Sequence, residues 1–113
     1  DRTMSPAIDV VENKDTFEVI CDLPGVQKDE LDISVTQDIL TIKGEKKDKI
    51  AGKENEKKSY KKEIWEGNFQ RTLSLPTTVD TSNVEAELKD GILTISLPKK
   101  EEEKPKQIAV KSK

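Results

Sequence analysis

A chain of 113 residues, 38% charged, 32% hydrophobic and 4% aromatic, has the length of one domain and the material for only a thin core. Contacts between subunits are therefore expected to add to its stability. A net charge of −3 excludes a global field for nucleic acid. The absence of histidine excludes Ser-His-Asp and Cys-His catalysis and the usual zinc sites, and no apolar run approaches the about 18 residues of a membrane span.

The dominant period along the chain is two. Phe17, Val19, Cys21 and Leu23 alternate with Glu18, Ile20 and Asp22 until Pro24-Gly25 breaks the run, the pattern of a strand with one inward face. Cys21 shares that face and reads as a core thiol. As the only cysteine it can form no intrachain disulfide, which fits a reducing, cytoplasmic setting. No secretory signal is visible. Leu31, Ile33 and Val35 alternate with Asp32 and Ser34, and the turn Gln37-Asp38 leads into a short β-rich run over 39–43.

Composition then changes. Residues 43–63 hold nine lysines and five acids, a net charge of +4, with Ile50, Ala51 and Tyr60 the only apolar side chains. An excursion this long between strands reads as a solvated loop or a functional one. Its end, Ser59-Tyr-Lys-Lys-Glu-Ile-Trp65, has enough β-formers for a strand, which on such an arm could pair with an exposed edge of another subunit. Phe69, Arg71, Leu73 and Leu75 share the next face, ended by Pro76; Val84, Ala86 and Leu88 share another. Asp90-Gly91 is a strong hairpin signal, and Gly91 suits a positive φ there. Residues 92–97 read as a buried strand closed by Pro98. No segment carries a helical stripe of ten or more residues, so the fold class expected is all-β: a two-sheet antiparallel β-sandwich.

The tail is the anomaly. Ile108 and Val110 sit among lysines, glutamates and glutamine, two positions apart and so on one side of an extended strand. They are either stray apolar residues of a disordered tail or the plug for a pair of pockets elsewhere.

Several segments together resemble the α-crystallin domain of small heat-shock proteins. Ala86-Glu-Leu-Lys-Asp-Gly-Ile-Leu-Thr-Ile-Ser-Leu-Pro98 is similar to the family's A-x-x-x-[ND]-G-[VI]-L-x-[IV]-x-[LVI]-P signature over its whole length. Asp22-Leu-Pro-Gly-Val26 with Glu30-Leu-Asp-Ile33 resembles the early strand and turn. Gly67-Asn-Phe-Gln-Arg71 with Leu75-Pro76 resembles the G-x-F-x-R…LP run, and Ile108-Ala109-Val110 resembles the [IV]-x-[IV] tail motif. The likeness implies residues 1–6 as a remnant of an N-terminal arm, 7–98 as the domain and 99–113 as a C-terminal extension. So short an N-terminal segment departs from the family, whose arm is commonly assigned to client binding and higher assembly.

The function implied is that of an ATP-independent holdase, not an enzyme, with unfolded client proteins as partners and neither cofactor nor metal. A homodimer, and higher homo-oligomers built from it, would form by exchange of a strand near 58–64 onto the partner's edge near 8–12. The interface expected from the likeness comprises Ile8 and Val10 on the receiving edge, Tyr60, Lys62, Glu63 and Ile64 on the swapped strand, and Arg71, a guanidinium on an apolar face for which Glu63 is a candidate partner. Ile108 and Val110 would fill a groove walled by Leu31, Ile33 and Val35 on one side and Val84, Ala86 and Leu88 on the other, with residues 99–107 as a spacer of about 30 Å at full extension. The alternative is an adaptor sandwich that binds another chaperone.

Overall fold

The computed structural model describes residues 5–46 and 67–112. They form seven strands: β1 (Ile8–Glu12), β2 (Thr16–Asp22), β3 (Leu31–Thr36), β4 (Ile39–Lys46), β5 (Gly67–Ser74), β6 (Glu85–Lys89) and β7 (Ile92–Pro98). All pairings are antiparallel, in a four-stranded sheet of order β1-β2-β7-β6 and a three-stranded sheet of order β3-β4-β5. Among the described residues the only helical pieces are short 3-10 turns, at Lys28–Glu30, Thr81–Asn83 and Glu101–Glu103. The all-β antiparallel sandwich expected from the period-two patterning is the fold observed.

The core lies between the sheets. Phe17, Val19 and Cys21 from β2, Leu93, Ile95 and Leu97 from β7, Leu40 and Ile42 from β4 and Phe69 from β5 are buried, joined by Leu23, Val26, Leu75 and Val79 from the connections. These are the alternate positions of each strand, as a two-layer sandwich requires. Residues 92–97 are buried on one face only. Ile92 is exposed and Thr94 and Ser96 are half-buried, because nothing among the described residues covers the outer face of the four-stranded sheet.

Two hairpins set the registers. Asp90 and Gly91 have φ of 52° and 78°, the left-handed pair of a tight turn whose twist matches the strands it joins, and Leu88 faces Leu93 across it. Gln37, with φ of 56°, takes the corresponding strained position between β3 and β4. Gly44 is needed for a different reason. It pairs directly with Phe69 across β4 and β5, and a Cβ built on it would run into the Phe69 ring. The ring thus covers the glycine, which seals a gap in the sheet.

The segment after β5 ties the two sheets together. Leu75 and Val79 donate their N–H groups to the carbonyls of Asp38 and Gln37 in the β3–β4 turn, and Asp80 donates to Pro98 at the end of β7. Asp80 also caps the 3-10 turn that follows, accepting from the Ser82 amide and hydroxyl and from the Asn83 side chain. Those bonds favour the ionised carboxylate and hold its pKa below the ordinary value.

Candidate functional site

Three features of the sandwich can make contacts outside it. The first is β1. Among the described residues it pairs with β2 alone, and its other side is an open edge. The Asp22 amide donates to Ala7 and the Asn13 amide to Thr16, flanking a ladder in which Asp9 faces Ile20 and Val11 faces Glu18. By the alternation of antiparallel pairs, the backbone groups of Ile8, Val10 and Glu12 therefore point away from β2. Val10 and Val11 are 45% and 43% exposed, and Ile8 is half-buried against the core.

Arg71, half-buried on β5, reaches this side of the molecule: its Nη1 donates to the Pro6 carbonyl at 2.8 Å. That bond is its one recorded polar contact among the described residues, a modest complement for a guanidinium with five donors. Tyr60, Lys62, Glu63 and Ile64, expected on the swapped strand, lie outside the described residues.

The Arg71–Pro6 contact sets β5 beside the start of β1. The stacking of the two sheets then leaves β3 and β6 as neighbours at the opposite edge, the second feature. Leu31, Ile33 and Val35 of β3 are half-buried, as are Val84, just before β6, and Leu88 on it; all five pack against the core while keeping a solvent-facing side. Ala86 is exposed. On the outermost strand its methyl group is too short to reach the core that Val84 and Leu88 touch.

The third feature is the tail. Ile108 is 86% exposed and Val110 93%, the most exposed large hydrophobic side chains among the described residues. The tail departs later than the charge pattern suggests. Lys99, expected to open a polar spacer, is 7% exposed and belongs to the sandwich. Its amide donates to Asp15, its backbone bridges to Val79, its ammonium lies 5.1 Å from the centre of the Phe17 ring, and its Nζ bonds Glu12 Oε2 at 2.7 Å. The spacer is thus residues 100–107, shortened further by the 3-10 turn Glu101–Glu103. Sequence gave one usable signal for this. Lys99 follows Phe17, Leu93, Ile95 and Leu97 in the inward phase of paired strands, so it continues a buried face.

Cys21 is fully buried, and desolvation pushes its thiol up to about 11, only partly opposed by the nearby Arg71 charge. A thiol so protonated is inert at neutral pH. Among the described residues no helix is long and apolar enough to cross a membrane.

Comparison with known proteins gives a consistent result. Residues 9–111 match the model of the Hsp20/alpha crystallin family. Over 109 residues the chain is 39% identical to small heat shock protein C4 of Rickettsia felis, a match covering 96% of this chain and 66% of that protein. Heat shock protein 16.0 of Schizosaccharomyces pombe superposes with a TM-score of 0.76 at 38% identity, over 96% of this chain and 77% of that one. A small heat-shock protein of Xylella fastidiosa, described as having a distinct high order structure, superposes with a TM-score of 0.71 at 28% identity, over 96% and 98% of the two chains.

Proposed function

The chain belongs to the Hsp20/alpha crystallin family, and from that membership we propose that it acts as an ATP-independent holdase, a chaperone that binds partly unfolded proteins and keeps them from aggregating. The observation that carries this reading is the family match over residues 9–111. No bond is made or broken in such an activity. Capture of exposed apolar surface lowers the free concentration of aggregating chains by mass action.

The working unit is a homodimer in which the strand near 58–64 of each subunit adds to the open edge of the other's β1, reciprocally about a two-fold axis. The outward amides and carbonyls of Ile8, Val10 and Glu12 support this reading, because an unpaired edge is a template for another strand. So does Arg71, whose one recorded partner among the described residues, the Pro6 carbonyl, leaves donors for an acid such as Glu63.

Beyond the dimer, Ile108 and Val110 dock in the apolar edge between β3 and β6, against Leu31, Ile33, Val35, Val84, Ala86 and Leu88. Burying each side chain stabilises by about 1.5–3 kcal/mol, and ordering the tail offsets much of that. One tail therefore binds weakly, while several together hold an assembly that still exchanges.

The test is light scattering from a heat-denatured client with ATP absent. An equimolar dose of the chain is expected to suppress the rise. An unchanged rise would favour the adaptor reading, in which the sandwich serves another chaperone.

A further inference from the structure

We propose that the Lys99–Glu12 ion pair sets the register of β1, and so decides which backbone groups that edge offers to a strand of a second copy of this chain. The inference rests on the reading that β1 receives such a strand, and names the residue that positions it.

The second half of β1 has little else to choose its register by. Ile8 is half-buried, and Asp9, Val10, Val11 and Glu12 are all exposed. Val10 and Val11 lie on opposite faces yet are exposed almost equally, at 45% and 43%, so the apolar pattern marks no inward side there. The connection to β2 adds little. It is closed by the bond from the Asn13 amide to Thr16, and neither Lys14 nor Asp15 has a positive φ, so it is not one of the turns whose twist matches a hairpin. At the near end, buried Pro6 accepts from Arg71 and Ile8 meets the core. The far end is held by Glu12.

Glu12 lies opposite Phe17, and Phe17 opposite Leu97, on the inward side of the sheet. Lys99 follows Leu97 in the same phase, buried, with its amide bonded to Asp15 and its backbone bridged to Val79. Its ammonium lies over the Phe17 ring and bonds Glu12 Oε2 at 2.7 Å, across 87 positions of sequence. An apolar side chain at 99 would continue the buried face of Leu93, Ile95 and Leu97 without desolvating a charge. What the lysine adds is discrimination. A slip of one residue turns Glu12 to the outer face and leaves the buried ammonium without its carboxylate, a costly state. The same slip turns the amides of Ile8, Val10 and Glu12 toward β2 and presents those of Asp9 and Val11 instead. The ion pair therefore favours the one register in which Ile8, Val10 and Glu12 face outward.

The test uses the full chain carrying Ile108→Ala and Val110→Ala, which keeps assemblies small enough for NMR. Hα–Hα contacts of Val10 with Val19 and of Glu12 with Phe17 report the register, since these are the close pairs of the ladder. Both contacts are expected in this chain and with Lys99→Arg, which preserves the pair. With Lys99→Met they should weaken and be replaced in part by a contact of Val11 with Val19, while the dimer dissociation constant by sedimentation rises about tenfold. Adding Val11→Thr, which restores a one-sided apolar pattern, should bring the original contacts and the affinity back. Glu12→Gln, which leaves Lys99 and its packing in place, reads the same pair if Lys99→Met does not fold. Contacts and affinity unchanged by Lys99→Met and by Glu12→Gln overturn the register role and leave the strand-receiving edge standing. Loss of the contacts together with those between β2 and β7 also overturns it, as a general loosening of the sandwich. A chain already monomeric at tens of micromolar before Lys99 is changed overturns the strand-receiving edge instead.

Discussion

Single residues here act mostly through what they exclude. Gly44 leaves room for the Phe69 ring, so any side chain at 44 must displace a buried aromatic. Gly44→Val is expected to destabilise the fold by about 1–3 kcal/mol, read as a lower denaturation midpoint at unchanged slope. An unchanged midpoint would mean that the ring moves aside at no cost. Cys21 makes a second residue-scale prediction. Its thiol is raised by burial from the ordinary 9.0 to about 11, so the folded state favours the protonated form. The stabilisation this provides is fully present below pH 9 and is lost as pH rises through about 11. In the folded protein at neutral pH a maleimide should label Cys21 far more slowly than in denaturant. Equal rates would place the thiol at the surface.

At the scale of elements, the open side of β1 is the critical one. Val10→Pro removes an amide that points away from β2, so the β1–β2 ladder survives while the edge loses a donor. The expected outcome is a folded protein that sediments as a monomer at tens of micromolar, where the proposed account makes the unsubstituted chain a dimer. A variant that stays dimeric would move the interface elsewhere. The strands were legible in sequence because a one-sided burial pattern must repeat every two residues, as in Phe17, Val19 and Cys21. Asp90-Gly91 fixed its hairpin because few residues tolerate two consecutive positive φ angles. Burial at the margins was less legible. Ile92 and Ala86 follow the apolar pattern but are exposed, since exposure at a sheet's face or edge depends on what the opposite layer covers. Lys99 errs the other way. Its charge suggests solvent, but Phe17 and Glu12, distant in sequence, supply the ring and carboxylate that allow its burial.

At the scale of the molecule, the described residues form a small core with two open sheet edges and a tail whose apolar pair is exposed. In the proposed account one edge takes a strand and the other a tail, and exchange between them frees apolar surface for clients. Partial exposure of Val10, Val11 and the β3–β6 edge is consistent with contacts that are individually weak and collectively useful. The most direct measurement is size-exclusion chromatography of a client heated with the chain in the absence of ATP. The client is expected to elute with the chain in a soluble complex larger than either alone. A client found only in the pellet, with the chain eluting at its own unliganded volume, would contradict the holdase account.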